Sequence, residues 1–237
     1  AYGLWKKEVN VKKILEKQLN INVVVDNNVR TLAMAEMDHE KLQNISNMLF
    51  IKCGPGIGSA IVIDREIYRG THNIAAEIGH TIVEINGETC KCGKVGCLET
   101  VASPEAINRK IRGNFSKQKM PILYELCRED IANLSTNNVM KSSQQGDEEV
   151  IKIVTKAATY MALGISNAIT IIDPHKLVLY GEMFKNKIFM EIFKDELNKN
   201  LTECDLKNII SYSTLNNSPI YIGGIALAIR EFFFRTG

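Results

Sequence analysis

No stretch of this sequence approaches the roughly 20 uninterrupted apolar residues that a membrane span requires, and the opening AYGLWKKEVN lacks the apolar core of a secretory leader. The expectation is a cytoplasmic protein with no membrane partner. Charge of one sign is also in short supply. The chain has 29 Lys and Arg against 27 Asp and Glu, a formal +2, which is too little to announce a nucleic-acid surface built from clustered cations. Internal repeats and low-complexity tracts are missing as well. What remains, 237 residues with 45% hydrophobic and 24% charged side chains, suits a globular protein with one large α/β domain or two smaller ones. The chain starts without Met and runs almost at once into a helical pattern, which reads as a fragment or a trimmed protein.

The periodicities support α/β layers. VKKILEKQLN puts Val11, Ile14, Leu15 and Leu19 on one helical face, and INVVV follows as a run suited to a buried strand. Asp26 and Asn27 offer helix-start chemistry ahead of a stripe of Val29, Leu32, Ala33 and Met37. NMLFIKCG and SAIVIDREIYRG read as strands around the glycine turn Gly54 to Gly58, and TIVEI as another strand. From Pro104 the pattern is mainly helical, broken by the polar STNNVMKSSQQGDEE, which reads as a surface connection. Val150 to Ile172 is helix-periodic and is stopped by Asp173-Pro174; KLVLYG and NIISYS read as strands. PIYIGGIALAIREFFF closes the chain as an apolar helix with Pro219 near its start.

Of the six cysteines, Cys53, Cys127 and Cys204 stand singly among apolar neighbours, as free buried thiols do. The other three form H-x9-C-x-C-x4-C with His80: Cys90, Cys92 and Cys97. One imidazole and three thiolates can close a tetrahedron around zinc, leaving no open position, so the site is expected to be structural. Gly87, Gly93 and Gly96 suit a loop folded tightly enough to aim several donors at one point. A redox centre would need C-x-x-C at a helix start, and a disulfide would strand an odd thiol.

The string AEIGH followed by CKCGKVGCLE, which carries Glu77, Gly79, His80, Cys90, Cys92, Gly93, Gly96, Cys97 and Glu99 in order, resembles the signature of the ROK family of repressors, open reading frames and sugar kinases. The resemblance extends through VVVDNNVRTLAMAE, GPGIGSAIVIDREIYRG, ISNAITIIDPHKLVLYGEMF and IGGIALA. It implies the two-lobed actin/hexokinase fold of ribonuclease H-like type, with its N-terminal part missing and a sugar held between the lobes. On that pattern residues 1–27 and 214–237 belong to the small lobe and 28–213 to the large, zinc-bearing one. The resemblance also implies that Glu77, His80 and Glu99 contact the sugar. Alternatively, Glu77 is an exposed strand-end charge and Glu99 only a first-turn carboxylate facing a helix N-terminus.

Where kinase members read ENDAN, with the Asp as general base, this chain reads DNNVR, and Asn28 stands in the Asp place. An amide hydrogen-bonds a hydroxyl but does not take its proton, so Asn27 and Asn28 are expected to bind an effector and no residue is assigned a catalytic role. LYGEMF also puts Glu182 and Met183 where small residues would admit adenosine. The resulting expectation is the sugar-sensing and dimerisation region of a repressor, whose DNA-binding winged helix-turn-helix is absent from this chain. Homodimers are implied by the family, and the exposed apolar surface of helices after Pro104 is the expected interface. The alternatives are an ATP-dependent kinase of glucose, fructose or N-acetylmannosamine type, and a degenerate member that binds neither sugar nor DNA.

Overall fold

A computed structural model describes residues 9–39, 42–202, 206–217 and 221–234. Asn10 starts the first helix, α1 (Val11–Leu19), by accepting a hydrogen bond from the Lys13 N–H at 3.0 Å. The apolar stripe is there, but none of it is buried, and Ile14 and Leu19 are exposed. The INVVV run is not a strand: residues 21–25 are irregular and lie outside the sheet. β-Branched residues become a strand only where a neighbouring edge takes their N–H and C=O groups. Asn27 and Asn28 therefore follow an irregular segment instead of the end of a buried strand. Asn27 caps α2 (Asn28–Met37), its Oδ1 accepting from the Val29 N–H at 2.7 Å, and the expected stripe of Val29, Leu32, Ala33 and Met37 is buried.

The strands β1 (Met48–Cys53), β2 (Ile57–Ile63) and β3 (Glu66–Ile67) form an antiparallel meander, with Cys53 opposite Ile57 across the glycine turn. Five helices follow: α3 (Leu98–Ala102), α4 (Pro104–Arg112), α5 (Pro121–Leu126), α6 (Thr136–Gln144) and α7 (Glu148–Ile172). Then come β4 (Lys176–Tyr180), α8 (Lys187–Asn200), α9 (Leu206–Ile209), β5 (Ile210–Tyr212) and α10 (Ile222–Ile229), which continues as a π-helical turn over Arg230–Phe234. The sheet order is β3-β2-β1-β4-β5, with β1, β4 and β5 parallel.

Period-two alternation splits the core between the two faces of the sheet. Leu49, Ile51 and Cys53 of β1, with Leu177 and Leu179 of β4, pack against α3 to α8. Met48 and Phe50, with Ala60, Val62 and Val178, pack against α2. Both faces are covered, which explains why the strands read as continuous apolar runs.

Two further expectations fail for local reasons. TIVEI makes only an isolated bridge, Ile82 to Cys97, because the Val83 and Glu84 N–H groups converge on one acceptor, the Gly96 carbonyl, at 2.9 and 3.2 Å. The polar run after Leu134 is helix α6, started by the Ser135 cap. Its buried serines are paired within the protein: Ser142 donates to Asp147 at 3.0 Å and Ser143 to the Met140 carbonyl at 2.9 Å. On the helices that follow Pro104 the exposed large hydrophobics, among the described residues, come late: Ile171 at the end of α7 and Ile225 and Ile229 of α10. Among the described residues from 104 to 170 no large hydrophobic side chain is exposed, whereas Ile82, Ile85 and Val95 on the cysteine loop and Phe233 and Phe234 near the end of the chain are.

Cys53 and Cys127 are free and buried as expected, and Cys204 and Pro219 lie outside the described residues. Among the described residues no helix is long and apolar enough to cross a membrane.

Candidate functional site

Three elements deliver the four metal-type donors. His80 ends the 3₁₀ turn Ile78–His80, Cys97 is the residue that precedes α3, and Cys90 and Cys92 sit in the intervening loop. That loop closes on itself through the Cys90 N–H to the Lys94 carbonyl at 2.7 Å and the Gly93 N–H to the Cys90 carbonyl at 2.9 Å. Gly96, at φ +75°, lets the chain pass so close to Glu84 that a Cβ there would lie 1.7 Å from the Glu84 carbonyl oxygen.

One donor atom from each of the four residues lies within 4.8 Å of all the others. His80 Nδ1 is 3.5 Å from Cys90 Sγ, and Cys92 Sγ is 3.6 Å from Cys97 Sγ. Tetrahedral bonds of about 2.3 Å to sulfur and about 2.05 Å to nitrogen place two sulfurs about 3.8 Å apart and a nitrogen and a sulfur about 3.6 Å apart, so these two separations are close to those of a Cys3His site, and the four residues could hold a metal ion. The thiols sit in unequal surroundings. Burial pushes Cys97 up to about 12, while the Lys94 backbone N–H draws the Cys92 thiol below its ordinary value. Three thiolates together would be strongly self-repelling, and a divalent cation is the species that discharges them.

The five sidechains expected to meet a sugar ride on segments that converge on the start of β2. Val29 of α2 lies against Gly58, where a Cβ would come within 2.7 Å of it, so the helix that begins with Asn28 is seated there. The Ser59 hydroxyl donates to the Ala76 carbonyl, next to Glu77. Glu99 Oε2 accepts from the Ile57 N–H at 3.0 Å. Asn27, Asn28 and Glu77 are exposed, and His80 and Glu99 half-buried. Glu99 lines a cavity of about 310 Å³ with Cys90, Lys91 and Thr100. Asn27 Oδ1 is committed to capping α2.

Two features went unread in the sequence. Asp26 is the acceptor of a buried ion cluster, taking Arg69 Nη1 at 2.6 Å, Arg30 Nη1 at 3.5 Å and the Asn27 N–H at 2.8 Å. The i,i+4 spacing of Asp26 and Arg30 was a visible signal; nothing local pointed to Arg69. The second feature is a cavity of about 610 Å³ beside the glycine turn, lined by Gly54, Pro55, Glu105, Asn108, Glu182 and Met183 among others. The Oδ1 of Asn108 is buried and has no hydrogen-bond partner among the described residues. Of the lining residues Met183 is buried, its sulfur 3.5 Å from Cys53 Sγ, and Glu182 pairs with Lys185 at 2.7 Å.

Comparison with known proteins agrees with the resemblance in the sequence. The model of the ROK family matches residues 3–231. A xylose repressor of Caldicellulosiruptor bescii is 25% identical over 233 residues, 98% of this chain and 58% of the repressor. A glucokinase of Halalkalibacterium halodurans is 32% identical over 186 residues, 78% of this chain and 56% of the kinase. The crystal structure of a ROK family glucokinase from Streptomyces griseus, in complex with glucose and AMPPNP, superposes with a TM-score of 0.79 at 23% identity, over 92% of this chain and 71% of that one. The expected hexokinase-like α/β fold is thereby borne out. The chain spans a little over half the length of these curated relatives.

Proposed function

The chain belongs to the ROK family, and on that premise we propose that it is the sugar-sensing, effector-binding and dimerisation region of a transcriptional repressor and not a working sugar kinase. The observation that carries this reading is the amide of Asn28 at the first position of α2. Phosphoryl transfer to a sugar hydroxyl needs a group that accepts its proton, and a missing base costs about 10²–10⁴-fold in rate. An amide still donates to and accepts from hydroxyls. The match to a xylose repressor over 98% of this chain supports the same reading.

In this reading Asn28, Glu77, His80 and Glu99 meet the hydroxyls of a sugar or sugar derivative, joined by the side-chain NH2 of Asn27. Zinc on His80, Cys90, Cys92 and Cys97 holds the Glu77–Glu99 segment in shape. Nδ1 of His80 faces the Cys90 thiol, so Nε2 is the nitrogen that turns toward a hydroxyl. Residues 1–27 and 214–237 belong to a small lobe and 28–213 to a large one. A sugar that binds one lobe arrangement more tightly shifts the population toward it, and in a cytoplasmic homodimer that changes the spacing of two winged helix-turn-helix heads carried outside this chain. The shift in operator affinity is bounded by the difference in sugar affinity between the two arrangements. Gel-shift titration of the intact protein with candidate sugars tests this: the midpoint for operator DNA moves with the effector, and no movement with any sugar refutes it.

A kinase is the second reading, favoured by the cavity beside the glycine turn and by the glucokinase match. ADP release by the intact protein separates the two. Turnover at about 1 s⁻¹ or faster, in the ordinary kinase range, establishes the kinase.

A further inference from the structure

The chain reaches Glu77 through a segment with three residues in the left-handed region: Gly70 at φ +68°, Asn73 at +57° and Ala76 at +67°. Glycine takes that conformation freely and asparagine tolerates it, but alanine disfavours it by roughly tenfold in population. Something else must hold Ala76 there. Its carbonyl accepts two hydrogen bonds, one from the Ile78 N–H at 2.9 Å and one from the Ser59 hydroxyl. The first is local and moves with the turn. The second comes from β2, where Ser59 is buried and stands opposite Ile51 in the sheet, so its donor sits in a fixed frame.

The Glu77 carbonyl accepts from the His80 N–H at 3.0 Å, but that bond, too, is local to the turn. Glu77 precedes the 3₁₀ turn Ile78–His80 without a side-chain bond to it, and its direction follows from the backbone of Ala76. An alternative Ala76 conformation with negative φ would rotate the peptide plane that carries Glu77. Strained residues persist only where their surroundings over-determine them, and they gather at binding sites.

We propose that Ser59 is a positioning residue for the effector: through the Ala76 carbonyl, its hydroxyl holds Glu77 in the direction that meets a sugar hydroxyl. This rests on the reading of Glu77 as a sugar contact. Ser59 itself does not touch the effector.

The test is titration calorimetry on the intact protein with D-xylose, D-glucose, D-fructose and N-acetylmannosamine, beside thermal melts of each variant. Ser59→Ala weakens the sugar that the wild type binds by about tenfold, the scale of one lost hydrogen bond. Ser59→Ala combined with Ala76→Gly regains most of that loss, because glycine needs no help to hold φ +67°. A merely structural role for Ser59 predicts no rescue by a glycine 17 residues away. If Ser59→Ala does not fold, the isosteric pair Ser59→Thr and Ser59→Val decides: Thr keeps the donor and binds like the wild type, and Val does not. Wild-type affinity in Ser59→Ala or Ser59→Val, or a loss that Ala76→Gly leaves in place, overturns the proposal. A wild type that binds none of the four sugars overturns the sugar reading itself.

Discussion

The Glu99 carboxylate accepts a hydrogen bond from the Ile57 backbone N–H at 3.0 Å, across 42 residues of sequence. The bond ties the first turn of α3, which follows directly on Cys97, to the first residue of β2. A Cβ placed on Gly56 would lie 2.3 Å from that same carboxylate oxygen. Gly56→Ala is therefore expected to displace Glu99 and weaken effector binding by about tenfold, the scale of one lost charge-assisted hydrogen bond. Titration calorimetry checks it, and an unchanged affinity would remove Glu99 from the site.

Elemental analysis of the purified chain is expected to find one zinc. Cys97→Ser should lose it, because Cys97 is fully buried and its thiol shares the cluster with Cys92. An ion held at a hundredfold above its Kd contributes about 2.7 kcal/mol, and a chain of this size shifts by roughly 2–4 °C per kcal/mol. The melting temperature should then fall by about 5–10 °C, and a chelator should reproduce the fall in the wild type.

Asp26→Asn leaves Arg30 and Arg69 without their shared carboxylate. The Asp26 and Arg30 side chains are only 9% and 8% exposed, and breaking a buried pair costs about 3–5 kcal/mol. Calorimetric unfolding should show a melting temperature lower by about 10 °C. An equal stability would mean that water replaces the carboxylate.

Glu84 joins the cysteine loop to α7 through Lys156 Nζ at 2.8 Å and Tyr160 Oη at 3.1 Å. The Lys156 hydrogen bond draws its carboxyl below the ordinary 4.5. A depressed carboxylate stabilises the folded state above its unfolded value, and that contribution is lost as pH falls through the folded one. Wild type should therefore exceed Glu84→Gln in unfolding midpoint at pH 6–7, with the gap closing below about pH 4.5. Midpoints measured across that range decide it, and a gap independent of pH would assign the effect to packing.

Local chemistry is where sequence reasoning held. The Asn27 cap, the buried stripe of α2, the β1–β2 hairpin around the glycine turn and the length of α7 are all set by neighbours a few residues away. The convergence of His80 with Cys90, Cys92 and Cys97 was legible too, because spacing and donor type constrain it. INVVV and TIVEI were misread because strand formation depends on a distant edge, and the run after Leu134 because its serines find partners in Asp147 and the Met140 carbonyl.

By itself, then, the amino-acid order determined the family, the α/β layering, the four donors and the amide at position 28. Only the tertiary structure decided that Arg69 closes on Asp26, that Ser59 grips the Ala76 carbonyl, and that the segments bearing Asn28, Glu77 and Glu99 meet at the start of β2. The reason is one of range. Periodicity, caps and ligand spacing act within a few turns of chain, whereas these contacts join residues 17 to 43 positions apart and exist only once the sheet has brought their elements together.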